Sequence, residues 1–255
     1  MLTKHEKNFI IRQWRGKVES KTKKYTTLNN FYEKANALRF DKLYRDAASN
    51  YLNAILIDRK SAESYFGLGI CYKNLGEYEK AIKYLESAAK LKKDFYDAYF
   101  ELGICHQLLG ENCGAIKNFI RAIQTDPDNP EAILQLGISH ELCEEFDLAM
   151  MIYQKLIDNS PEFSKAYEHK SSLLMKLGKY KEAAIILTKL LKLYPDYSKA
   201  YAGIGVCFEK LNQTARAQRY YRKFLLLNTI SEQNEFIKDK LQKNSKIPVT
   251  NLKIL

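Results

Sequence analysis

Alanine recurs at Ala47, Ala81, Ala115, Ala149, Ala183 and Ala217, a comb with a spacing of 34 residues. A second comb of the same period, Ala35, Gly69, Gly103, Gly137, Ser171 and Gly205, holds only small residues. A period in this range means a solenoid, in which each unit buries its apolar face only against its neighbours. Six units follow, at residues 28–61, 62–95, 96–129, 130–163, 164–197 and 198–231. The expected fold is all-α, a solenoid of antiparallel helix pairs forming one elongated body. Ahead of it lies a basic arm, residues 1–27, and behind it a capping helix, residues 232–243, and a tail, residues 244–255.

Places within a unit are numbered here from 1, so that Ala62 is place 1 of the second repeat. Tyr65, Leu68, Gly69 and Tyr72 fall at i, i+3, i+4 and i+7, which is one face of a first helix. Gly76 closes that helix in the left-handed conformation, and Gly110, Gly178 and Asn212 hold the same place. Ala81, Leu85 and Ala88 share a face of a second helix, and Pro127, Pro161 and Pro195 stop the second helices of later units. The small column at Gly69 is expected to face the alanine column at Ala81 and let the two helices approach closely.

The order of side chains in these units resembles the tetratricopeptide repeat family. Its aromatic, Leu-Gly, Tyr, Ala, Phe and Pro places read Tyr99, Leu102-Gly103, His106, Ala115, Phe119 and Pro127 in one unit. In another they read Tyr201, Ile204-Gly205, Phe208, Ala217 and Tyr221. The resemblance implies a right-handed superhelix with a concave groove that takes ligands. The chain departs from the pattern where Lys34 and Lys170 replace a Leu, and where Lys42 and Glu144 replace the turn glycine. Lys170 is read as an apolar stem carrying its ammonium out to water.

Composition narrows the chemistry. The chain has 255 residues with a net charge of +11 and five cysteines. The odd cysteine count, the lack of a CxxC pair and the absence of a long apolar run point to a cytoplasmic protein. The arm has eight basic residues against two acidic ones, a net of +6, with Ile10, Trp14 and Val18 on one helical face. Gly67-Leu68-Gly69 imitates the start of a dinucleotide fingerprint but falls in mid-helix, so these read as packing glycines. His140-Glu141 begins like a zinc-protease motif, yet Glu144 stands at the next ligand place. His106 and His140 replace the tyrosine column, and Cys71, Cys105 and Cys207 stand beside it as small hydrophobes. No catalytic grouping, cofactor motif or metal set emerges, and the expectation is a protein that is not an enzyme.

The remaining face of each first helix carries places 2, 5, 9, 12 and 13, which the resemblance assigns to the groove. Places 5 and 9 of the second to fourth repeats are Phe66, Ile70, Phe100, Ile104, Leu134 and Ile138, an apolar ladder. Farther along, the same surface carries Lys165, Lys176, Lys199 and Lys210. Charge is uneven too: residues 130–163 hold one basic and seven acidic side chains, net −6, whereas residues 164–231 hold thirteen and four, net +9. These features suggest an adaptor that binds a protein segment with apolar and acidic parts. An RNA-binding repeat protein, or a targeting or regulatory subunit of a separate enzyme, are the alternatives. The acidic middle opposes a polyanion lying along the whole array, and the apolar strip Ile247, Val249, Leu252 and Ile254 suggests self-association through the tail.

One subtype is disfavoured. Family members that clamp a chaperone's C-terminal carboxylate place Lys and Asn at places 5 and 9 of one repeat, Asn at place 6 of the next, and Lys and Arg at places 2 and 6 of the third. Here those places are Tyr32 and Asn36, Gly67, then Asp97 and Glu101. Only Asn36 fits.

Overall fold

The computed structural model describes residues 24–227 together with Ile237, Asp239 and Leu241. The expectations for the basic arm up to residue 23 and for the tail lie outside the described residues. A helix over residues 24–40, α1, is followed by α2 (Tyr44–Ile57), α3 (Ala62–Asn74), α4 (Tyr78–Leu91), α5 (Tyr96–Leu108) and α6 (Asn112–Thr125). Then come α7 (Pro130–Leu142), α8 (Phe146–Asn159), α9 (Ser164–Lys176), α10 (Tyr180–Leu193), α11 (Ser198–Lys210) and α12 (Thr214–Leu227). No strand occurs among the described residues. The chain divides inside α7 into two compact units, Met1–Ala132 and Ile133–Leu255.

The turn inside each pair is the same hydrogen-bonded device six times over. In the second repeat Gly76 N–H donates to Lys73 O at 3.0 Å and Glu77 N–H to Tyr72 O at 2.9 Å, which ties off two of the free carbonyls at the end of α3. This closure needs a positive φ at its centre. Gly76, Gly110 and Gly178 have φ of 78°, 76° and 75°, and Lys42, Glu144 and Asn212 adopt 61°, 60° and 58°. The two departures from glycine therefore keep the turn and carry the steric cost of a Cβ there, on the order of 1 kcal/mol each. Second helices stop as expected: α6, α8 and α10 end two residues before Pro127, Pro161 and Pro195.

In unit 1 the core runs through Ala35, Ala47, Tyr51 and Leu68, then Ala81, Leu85, Ala98, Leu102 and Cys105, all at most 2% exposed. In unit 2 it runs through Ala149, Tyr153, Leu156, Leu173, Leu187, Leu190 and Ile204. Ile237 and Leu241, helical in the described structure, pack with Tyr221 and Phe224 and cover the last pair. The small column does not face the alanines alone. A Cβ built on Gly69 comes 2.6 Å from Leu85 Cγ and 3.3 Å from Ala81 O, one on Gly103 2.5 Å from Phe119, one on Gly137 2.5 Å from Tyr153 and one on Gly205 2.3 Å from Tyr221. The opposing residue is thus the large side chain at place 24, one turn beyond the alanine. Gly67 and Gly203 approach the place-24 residue of the preceding repeat, with built Cβ atoms 2.3 Å from Tyr51 and 2.7 Å from Leu187. The close approach is small against large, because a ring needs the space that an absent Cβ leaves.

Candidate functional site

Ion pairs show how the first helices of successive pairs stand side by side. In unit 1, Lys73 on α3 meets Glu101 on α5 at 2.6 Å. In unit 2, Lys176 on α9 lies 4.0 Å from Glu141 on α7, and Lys199 on α11 lies 3.9 Å from Glu168 on α9. Each unit therefore presents a helical face built from places 2 to 13.

The apolar ladder divides on that face. Ile70 and Leu134 are buried, at 7% and 2% exposure, and belong to the core. Truncating a side chain as enclosed as Leu134 is expected to cost about 2–5 kcal/mol of folding free energy, so it serves packing. Phe66 lies against Phe95 with ring centroids 5.0 Å apart, and Phe100 stands edge-on to Phe119 at 5.7 Å and stacked on Tyr96 at 5.8 Å. Phe66, Phe100, Ile104 and Ile138 are only partly buried, Ile138 against the core of unit 2.

The lysines divide as well. Lys165 is exposed with its ammonium 5.8 Å from the Phe163 ring, and Lys176 lies 4.7 Å over Phe146. Lys210 is exposed. Glu168, which the apolar reading of place 5 passed over, stands among them and accepts a hydrogen bond from the Tyr197 hydroxyl. Burial, and then that carboxylate, push the Tyr197 hydroxyl up to about 12. The signal was available: Glu168 shares the register of Phe66, Phe100 and Leu134. With Glu141, it sets negative charge among the lysines of this surface.

Lys170 departs from its reading as a stem with a solvated head. It is only 9% exposed and donates from Nζ to Gln154 Oε1. Desolvation lowers its pKa, with Lys189 acting in the same direction and Asp158 and Glu182 opposing. His106 and His140 pair across the intra-repeat turn, Nδ1 to Glu111 Oε2 at 2.7 Å and to Glu145 Oε2 at 2.5 Å. Cys71, Cys105 and Cys207 are buried. Among the described residues no group of three His, Cys, Asp or Glu is placed to hold a metal ion, and no helix is long and apolar enough to cross a membrane.

Tetratricopeptide repeat models match residues 62–95, 131–162, 164–197 and 198–229, together more than half of the sequence. The chain belongs to the tetratricopeptide repeat (TPR) family. Its TPR pairs are similar in fold to the C-terminal part of a TPR repeat-containing protein from Cytophaga hutchinsonii, with a TM-score of 0.71, 19% identity and 84% of each chain covered. They are also similar to PilW, a type IV pilus biogenesis factor, with a TM-score of 0.66 and 19% identity over 82% of this chain and 97% of that one. YrrB, described as a TPR protein with an unusual peptide-binding site, gives a TM-score of 0.56 and 18% identity over 75% of this chain and 99% of its own. At these identities the likeness is one of fold. No curated protein sequence matches the chain.

Proposed function

We propose that this TPR protein is a non-enzymatic cytoplasmic scaffold that binds segments of partner proteins on the faces of its first helices. The observation that carries the reading is the side-by-side placement of those helices, which leaves Phe100 and Ile104 half-exposed in unit 1 and Lys165, Lys199 and Lys210 exposed in unit 2. The face of unit 1 suits a segment with large apolar side chains, and the face of unit 2 suits one with carboxylates. The peptide-binding description of YrrB is consistent with a peptide as the ligand class.

Affinity capture with crosslinking, followed by binding measurements on the captured segment, tests the proposal. Phe100→Ala, once circular dichroism shows it folded, is expected to weaken a segment crosslinked to unit 1 by about 2 kcal/mol with little change in salt dependence. Lys165→Glu with Lys199→Glu is expected to slow association of a segment crosslinked to unit 2 and to flatten its salt dependence, because exposed charges steer more than they hold. Unchanged binding in both folded variants would remove these faces from the ligand site.

A further inference from the structure

The clefts between successive second helices lie apart from the faces just described. In unit 1 such a cleft is lined by both signs, Glu86 and Asp94 beside Lys90, Lys93 and Arg121. The slot itself is a product of the fold. In unit 2 the cleft between α10 and the α11–α12 pair, about 460 Å³, is lined by Lys181, Lys189, Lys192 and Arg216 around Ile185 and Phe208, and among the described residues no carboxylate lines it. None of the four cations makes an ion pair among the described residues; Arg216 donates to the neutral Gln213 Oε1 at 3.0 Å and lies 5.5 Å over the Phe208 ring. Ile185 is 58% exposed at its rim.

The same unit carries the opposite character at the α7–α8 turn. Glu144, Glu145 and Asp147 are all exposed there, interleaved with Leu142, Leu148 and Met151 at 54%, 45% and 67% exposure. Three carboxylates and three large apolar side chains within ten residues form an acidic knob with apolar anchors. Cleft and knob belong to one compact unit, and α9 with its turn intervenes between them in the chain. A knob that fills this cleft therefore comes from another molecule.

We infer that two copies of this chain associate head to tail, the acidic α7–α8 knob of one copy seated in the basic α10–α12 cleft of the next. The net charge of +11 opposes approach of like molecules, but at physiological salt charges more than about 8 Å apart are screened, so local complementarity decides the contact. Phe208 already stacks with Tyr220 at 5.5 Å and carries Arg216, which disfavours a stacked nucleic-acid base as the occupant and leaves the cleft to carboxylates and aliphatic chains. A contact between unlike surfaces leaves each end of the pair free, so the assembly grows with concentration beyond a dimer unless its geometry closes a ring.

Sedimentation velocity on the full chain tests this with two exposed charge reversals, Lys189→Glu with Lys192→Glu in the cleft and Glu144→Lys with Asp147→Lys in the knob. Wild type is expected to show concentration-dependent association, and each variant, folded by circular dichroism, to lose it by about tenfold or more in affinity. An equimolar mixture of the two variants is expected to associate again, through the intact knob on the intact cleft and, with both signs reversed, through the altered knob on the altered cleft. Wild type that stays monomeric into the hundred-micromolar range overturns the inference. So does association that both reversals leave intact, or a mixture that forms no complex.

Discussion

The ring of Tyr153 occupies the space that a Cβ on Gly137 would need: the built atom falls 2.5 Å from Cε1. The ring is also fixed at its far end, where its hydroxyl donates to Glu141 Oε2 at 3.1 Å on the same first helix as Gly137. It cannot move aside without giving up that bond or opening the core. Gly137→Ala is therefore expected to destabilise the protein by about 1–3 kcal/mol, read as a lower denaturant midpoint for helix loss. An unchanged midpoint would mean that α7 and α8 separate freely.

Lys170 yields a stability change with a defined sign. Burial sets its folded pKa below the unfolded one, with Asp158 on α8 and Lys189 and Glu182 on α10 as its charged neighbours. Between the two values the unfolded chain holds the proton more tightly, so stability rises with pH through that window. Below the folded pKa the penalty for the buried charge is present in full. Lys170→Leu is expected to stabilise the protein at neutral pH by on the order of 1 kcal/mol, with the gain shrinking as pH climbs through the lysine range. Urea denaturation at several pH values checks it, and a pH-independent gain would assign the effect to packing.

The five cysteines should sort into two classes. Burial pushes the thiols of Cys71 and Cys207 up to about 11 and that of Cys105 up to about 12, which keeps the thiolate scarce, whereas Cys113 is exposed and Cys143 partly so. A chromogenic disulfide reagent at mildly alkaline pH is expected to label Cys113 and Cys143 in the folded protein and the other three only after denaturant is added. Peptide mapping reads the sites directly; rapid native labelling of Cys105 would show that the α5–α6 pair opens.

No binding is expected to a chaperone C-terminal peptide ending in an EEVD-type acidic motif. The one clamp residue in register, Asn36, already accepts the Tyr51 hydroxyl at 2.6 Å through its Oδ1, and Tyr32 lies edge-on to the same ring at 6.0 Å. Glu101, where the clamp needs a cation, is held by Lys73. Isothermal titration beside a clamp-containing TPR protein decides the matter, and micromolar affinity would refute it.

Helix positions and turns were legible because they follow from chain-local chemistry: a period near 3.6, a left-handed closure at Gly76 and a proline that removes a donor at Pro127. The departures Lys42 and Glu144 were legible as departures, and the backbone shows that they keep the glycine's conformation. What the pattern did not convey was neighbourhood. A helical wheel gives the direction of place 5 or 9, but whether Ile70 and Leu134 are covered depends on how closely adjacent helices come alongside. The same limit placed Gly69 opposite Ala81 alone and put the Lys170 ammonium in water. Place 24 accounts for the first of these, since its size sets how near two helices come and only the packed array reveals which residues make room.

At Tyr51, Tyr153 and Leu187 the place-24 side chain reaches the following repeat, and this has a consequence for the history of the chain. Tyr51 is accommodated by the glycine that opens the next unit at Gly67, and Leu187 by Gly203, whereas Tyr153 is followed by His169, whose ring lies 5.8 Å from its own. A unit transplanted behind a different neighbour would bring a histidine ring or a glutamate to a wall shaped around a missing side chain. Although all six units descend visibly from one pattern, they are no longer interchangeable parts; their order has become part of the inherited information, and shuffling them should fail more often than duplicating a contiguous pair.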